Sequence, residues 1–190
     1  MADDVAQEIE RIADEVASAA KGSEQIDVMV SRGRSTSVRV YEGEVEAFTS
    51  AESAGIGIRV ISDGRVGFAH AGSLDPEVVA ETLQSARSNV PFSEPDEWAG
   101  LAEPDGVDVV VHDQWDEAVL TMTAEAKIAR AVELERLVRS LDDRITGVRT
   151  AAWGDAHGVT AYAASNGIRR VDRGTSASVG CGTSMSATST

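Results

Sequence analysis

The sequence predicts an α+β fold in which antiparallel strands pack with about three amphipathic helices. Runs of β-branched residues alternate with polar ones and are split by short turn dipeptides, the pattern of hairpins. Three other stretches repeat their apolar residues every three or four positions, as one face of a helix does. With 42% apolar residues over 190 positions the core is large enough, and with 4% aromatics it is aliphatic.

Taken in order, Val5, Ile9, Ile12, Val16 and Ala20 recur at helical spacing behind Asp3 and Asp4, which suit the positive end of a helix dipole. A helix over 3–20 follows, ending near Lys21-Gly22. Ile26 to Ser31 and Ser35 to Tyr41 read as two strands, Glu42-Gly43 as a turn, and Glu44 to Ala51 as a further strand. Next comes a glycine-rich hairpin from Ser53 to His70, with Asp63-Gly64 as a type I′ turn in which both central residues need positive φ. Val66, Phe68 and His70 share one face of its return strand, while Gly55, Gly57 and Gly67 leave room for a close backbone or ligand. Residues 26–70 thus read as a four- or five-stranded meander.

Asp75-Pro76-Glu77 opens a second helix, with Val79, Leu83, Ala86 and Val90 on its apolar stripe and Pro91 at its end. From Pro91 to Gly106 the composition is that of a loop, with Trp98 as its expected anchor. Val107 to His112 reads as a short strand, and Thr123 to Leu141 as a third helix carrying Ile128, Ala131, Leu134, Val138 and Leu141 on one face. Ile145 to Trp153, Val159 to Ala164, an Asn166-Gly167 turn and Ile168 to about Met185 complete the β pattern. The chain is expected to form one domain over 1–190, with halves of about 1–92 and 107–190 joined by the Pro/Glu/Asp-rich loop. Gly33, Val38 and Tyr41 recur at the same offset as Gly154, Val159 and Tyr162, so the halves read as two similar α-then-β repeats sharing one core. The final strand runs out into small polar residues, from which we expect the native chain to continue beyond Thr190.

A formal net charge of −15 argues against nucleic-acid and anionic-membrane partners, since both demand a basic patch. Cys181 is the sole cysteine, so neither an intrachain disulfide nor a cysteine-cluster zinc site is available. The acidic N-terminus is unlike a signal peptide and no apolar run is long enough to span a membrane, which reads as a soluble, cytoplasmic protein.

The candidates for chemistry are sparse. His70, His112 and His157 show no zincin spacing; His112-Asp113, or Asp155 with His157 in an apparent turn, could bind a metal only with partners brought by the fold. Cys181 lies between glycines on a strand with no base in sight. Arg169, Arg170 and Arg173 form the one basic cluster, suited to a peptide carboxylate or an acidic partner, although a solvated strand edge explains it more simply. Glu8, Glu10, Asp14, Glu15, Glu133 and Glu135 read as solvated helix faces. No catalytic, cofactor-binding or metal-binding residue is assigned on this reading.

One stretch carries a resemblance. GIGIRVISDGRVGFA, from Gly55 to Ala69, resembles the TldD/PmbA family, which at this point reads G-[IVL]-G-[IV]-R-V-[IVL]-x-[DN]-G-x-x-G-F-A. Asp96 to Pro104 is similar to the family's linker, Glu133 to Ile145 to its helix ending in D-x-R-I, and Ala164-Ser165-Asn166-Gly167 stands, in altered order, where the family has N-S-x-G. These features resemble the PmbA (TldE) type of subunit more than the TldD type. The resemblance implies the N-terminal domain of a subunit in a metallopeptidase complex, once described as a modulator of DNA gyrase, that degrades or processes unfolded peptides. The zinc motif His-Glu-x-x-x-His belongs to the TldD-type subunit and matches nothing here. This domain is therefore expected to supply chamber wall and subunit contacts, with zinc held by a TldD-type partner. Its partners would be a TldD-type subunit or a second copy, in a hetero- or homodimer, together with unfolded peptide. Two alternatives stay open: a TldD-type zinc peptidase subunit whose motif lies beyond residue 190, and a stand-alone binding module.

Overall fold

A computed structural model describes residues 2–103, 106, 107, 110 and 112–186. The order is α1 (Ala2–Ser18), β1 (Gln25–Tyr41), β2 (Glu44–Ser62), β3 (Arg65–Ala71), α2 (Pro76–Asn89) with a 3-10 turn at Val90–Phe92, α3 (Glu117–Thr121), α4 (Ala124–Arg139), β4 (Ile145–Ala164) and β5 (Arg169–Met185). The strands are antiparallel in the order β3-β2-β1-β4-β5, which bears out the α+β expectation. They are fewer and longer than expected. Residues 25–41 form one strand, 44–62 another and 145–164 a third; in the first and third, Gly33, Gly154 and Gly158 stay out of the left-handed region and break nothing. Gly158 instead sits where a Cβ would come within 3.3 Å of the Arg32 carbonyl, so it permits two strand backbones to approach. The expected strand over Val107 to His112 includes 108, 109 and 111, which lie outside the described residues. The five-residue α3 has too few apolar positions to announce itself in the sequence; Asp116 caps it through Ala118 N.

Two compact units can be distinguished, one gathering Met1–Gly33, Ser53–Asp113 and Gly158–Arg173, the other Arg34–Glu52, Gln114–His157 and Gly174–Thr190. In the first, alternate residues of three strands (Ile26, Val28, Val30; Ile56, Ile58, Val60; Val159, Ala161, Ala163) pack with Ile9, Ile12 and Val16 of α1 and with Leu83 and Ala86 of α2. The period of two on the strands and of 3.6 on the helices makes this face continuous. Asp63 and Gly64 have φ of 52° and 69°, as a two-residue type I′ turn requires, and the register runs from Ser62↔Arg65 to Ile56↔Ala71. Gly67 is the tightest point: a Cβ there would lie 2.0 Å from the Ala86 carbonyl oxygen and 2.7 Å from Val90 N. Only glycine lets the end of α2 settle on β3. The loop after α2 is not anchored by Trp98, which is 86% exposed. Hydrogen bonds hold it instead: Asp96 N to Gly64 O (2.7 Å), Leu101 N to Gln25 Oε1 (3.2 Å) and Asn166 Nδ2 to Ala102 O (2.8 Å).

In the second unit, α4 places Ala131 against Val38, Val40 and Trp153, and Val138 against Val148 and Ala151. Leu141 falls past the helix end and is exposed. Two charged side chains of α4 are buried, Lys127 and, against expectation, Glu135. Lys127 donates from Nζ to Asp155 Oδ1 (2.9 Å) and Thr36 Oγ1 (3.3 Å), and Trp153 Nε1 donates to Asp155 Oδ2 (2.6 Å). Glu135, 2% exposed rather than solvated, accepts from the amides of Glu42 (2.9 Å) and Gly43 (2.7 Å) and from Arg139 (2.8 Å). A carboxylate thus holds the β1–β2 turn, whose two residues have φ of 52° and 80°. Unpaired turn amides are good anion ligands, which explains why an acid tolerates this burial.

Candidate functional site

Within the first unit, residues of β1 and β2 that alternate with the packed ones point to the opposite face. There a depression of about 460 Å³ is lined by Asp27, Met29, Gly57, Arg59, Phe68, His70 and Tyr162, among others. Its polar side is a three-residue cluster from three strands. Arg59 donates from Nε to Asp27 Oδ1 (2.9 Å) and from Nη2 to Asp27 Oδ2 (2.6 Å), and Tyr162 OH donates to Asp27 Oδ2 (3.0 Å). The paired geometry is the planar fork-to-carboxylate match that lysine cannot reproduce. The Asp27 bond raises the Arg59 guanidinium above its ordinary range. Burial pushes the Tyr162 phenol up, and its bond to Asp27 pushes the same way. At neutral pH the cluster is therefore a fixed guanidinium–carboxylate pair with a neutral phenol, built for holding and orienting. It offers no free base or nucleophile.

The apolar side is formed by Phe68 and His70, whose rings lie stacked with centroids 6.0 Å apart. The Phe68 ring approaches Gly57 closely enough that a Cβ there would touch it at 3.4 Å. Gly57 is thus the floor under an aromatic ledge.

The structure disperses the other candidates. His157 lies inside β4, not in a turn, with its ring edge-on to Trp115 at 6.2 Å. Asp155 is occupied by Lys127 and Trp153. His112 is in coil, and Cys181 is exposed on β5. Arg169 is paired with Asp14, Arg170 with Asp172 (2.6 Å) and Arg173 with Asp3 (3.5 Å), so the basic cluster has its own carboxylates. Among the described residues no group of three His, Cys, Asp or Glu could hold a metal ion, and they do not fit a zinc site. Asp27, Arg59 and Tyr162 were not singled out by the sequence. The available signal was an acid and an arginine, each set between β-branched neighbours on a strand.

Two family models match the chain: PmbA/TldA metallopeptidase domain 1 over residues 26–90, and PmbA/TldA metallopeptidase central domain over residues 117–189. The chain belongs to the TldD/PmbA family. Among curated relatives, Metalloprotease PmbA of Escherichia coli O157:H7 is 29% identical over 150 residues, which are 77% of this chain and 32% of that protein. The chain therefore spans about a third of the length of that relative. TldE from Thermococcus kodakarensis matches with a TM-score of 0.76 and 21% identity, covering 97% of this chain and 40% of that one. A Bacteroides thetaiotaomicron protein named as a candidate modulator of DNA gyrase matches with a TM-score of 0.78 and 18% identity, covering 98% and 42%. At these identities the two structures show the TldD/PmbA fold alone. Apart from Tyr162, every residue lining the depression falls in the segment matched by the first family domain. No described helix is long and apolar enough to cross a membrane.

Proposed function

We propose that this chain is the N-terminal part of a PmbA/TldE-type subunit in a cytoplasmic metallopeptidase complex that degrades or processes unfolded peptides. On this reading it supplies wall and subunit contacts, and zinc is held by a TldD-type partner. The observation that carries the reading is the pair of family matches, 26–90 and 117–189, which run through both units and agree with the 29% identity to Metalloprotease PmbA. The depression gives it a physical role. An open sheet face with a fixed ion pair beside an aromatic ledge can hold extended polypeptide through side-chain contacts. Nothing in the acidic composition suits direct contact with nucleic acid.

The test is to purify the full-length gene product alone and with a TldD-type protein from the same cells. Metal content by mass spectrometry and degradation of an unfolded peptide are then measured for each. No zinc and no cleavage alone, with both gained on adding the partner, is the expected result. About one zinc per chain in the product alone would transfer the catalytic role to this polypeptide and overturn the assignment as the supporting subunit.

A further inference from the structure

A guanidinium has two edges that can grip a carboxylate. In Arg59, Asp27 takes the edge formed by Nε and Nη2. Among the described residues nothing engages Nη1, and the side chain, 40% exposed, lines the depression. Tyr162 holds the second oxygen of Asp27, so the pair is braced from a third strand. The geometry points to the free edge of Arg59 as a receptor for the C-terminal carboxylate of a peptide, with the last side chain resting on the Phe68–His70 ledge above Gly57. This rests on the peptide-handling reading and assigns it a polarity: the peptide would lie with its C-terminus at Arg59.

Charge and shape favour a terminal carboxylate over an acidic side chain. With a net charge of −15 the protein repels acidic segments, whereas an apolar peptide end brings a single negative charge. A C-terminal residue also presents carboxylate and side chain from one Cα, and a polar edge next to an apolar ledge answers both. The volume, about 460 Å³, lies within the range of small-ligand sites.

The full-length gene product should be titrated by fluorescence anisotropy with dansyl-Ala-Ala-Leu as the free acid and as its C-terminal amide. The free acid should bind about tenfold or more tightly than the amide, as one charge-assisted bond pair implies. Arg59→Met should erase that preference. Because that change also strands Asp27, Arg59→Lys serves as the second variant: it keeps a cation beside Asp27, lacks the second edge, and should also lose the preference while circular dichroism stays unchanged. Equal binding of acid and amide by the wild type, or a preference that survives both substitutions, would overturn the carboxylate assignment and leave peptide binding standing. Binding of neither peptide would remove both readings.

Discussion

Glu135 offers the sharpest test of how the second unit is held. Replacing it with Ala removes three acceptor contacts at once, to the amides of Glu42 and Gly43 and to Arg139. Hydrogen bonds to charged groups are worth roughly 1.5–3 kcal/mol each when their partners stay dry. Both turn residues are exposed, so water re-solvates their amides, and we expect a net loss of about 2–4 kcal/mol for Glu135→Ala. Glu135→Gln keeps one oxygen but turns an NH₂ toward a donor, and should cost about 1–2 kcal/mol. Burial pushes this carboxyl up, but Arg139 and the amides of Gly43 and Glu42 outweigh it and hold the group below its usual range. A depressed folded value means the stabilisation is full above the unfolded value and is lost as pH falls through the folded one. The gap between wild type and Glu135→Gln should therefore be widest near pH 7 and close below about pH 4, on the acid side of the ordinary glutamate range. Urea unfolding read through Trp153, at both pH values, measures this, and hydrogen exchange at the Glu42 and Gly43 amides locates it. A gap that does not change with pH, or unaltered exchange at these amides, would refute the turn-clamp argument.

Gly67→Ala forces a Cβ onto the Ala86 carbonyl and should cost about 3 kcal/mol or more in thermal unfolding, whereas Gly180→Ala, with open space around it, should stay within about 1 kcal/mol of wild type. Lys127→Met strands the buried Asp155 and should destabilise by about 3–5 kcal/mol in chemical denaturation, while the double change with Asp155→Leu should recover part of that loss. Tyr162 should titrate above free tyrosine in an ultraviolet pH titration differenced against Tyr162→Phe, and Asp27→Asn should bring it back toward the ordinary value.

The period-two and period-3.6 patterns identified the helices and the hairpin turns, because burial on one face leaves a periodic trace in the sequence. Strand breaks left no such trace. Gly33, Gly154 and Gly158 look like punctuation, yet a glycine in extended backbone only thins a strand. Glu135 misled for a related reason: charge predicts exposure unless partners arrive from distant positions, here the 42–43 turn, as Asp155 does for the buried Lys127. The site was hidden likewise. Asp27, Arg59 and Tyr162 are separated by 32 and 135 residues from their mutual contacts, and only the strand order makes them neighbours. The family resemblance was legible because GIGIRVISDGRVGFA encodes a turn, a close helix contact and the arginine of the cluster within fifteen positions.

The pairing of Arg169, Arg170 and Arg173 with Asp14, Asp172 and Asp3 has a consequence for behaviour in solution. These arginines are neutralised internally, so the surplus of 32 acidic over 17 basic residues is presented outward as a polyanion. Exposed ion pairs weaken as salt rises, but so does the mutual repulsion of unmatched carboxylates, which acts over roughly a Debye length of ~10 Å at 0.1 M. With acids in such excess the second effect dominates, and the fold should firm up with added sodium chloride rather than loosen. Ionic strength then becomes a working variable for this protein, setting how closely any second chain, itself acidic or not, can approach it.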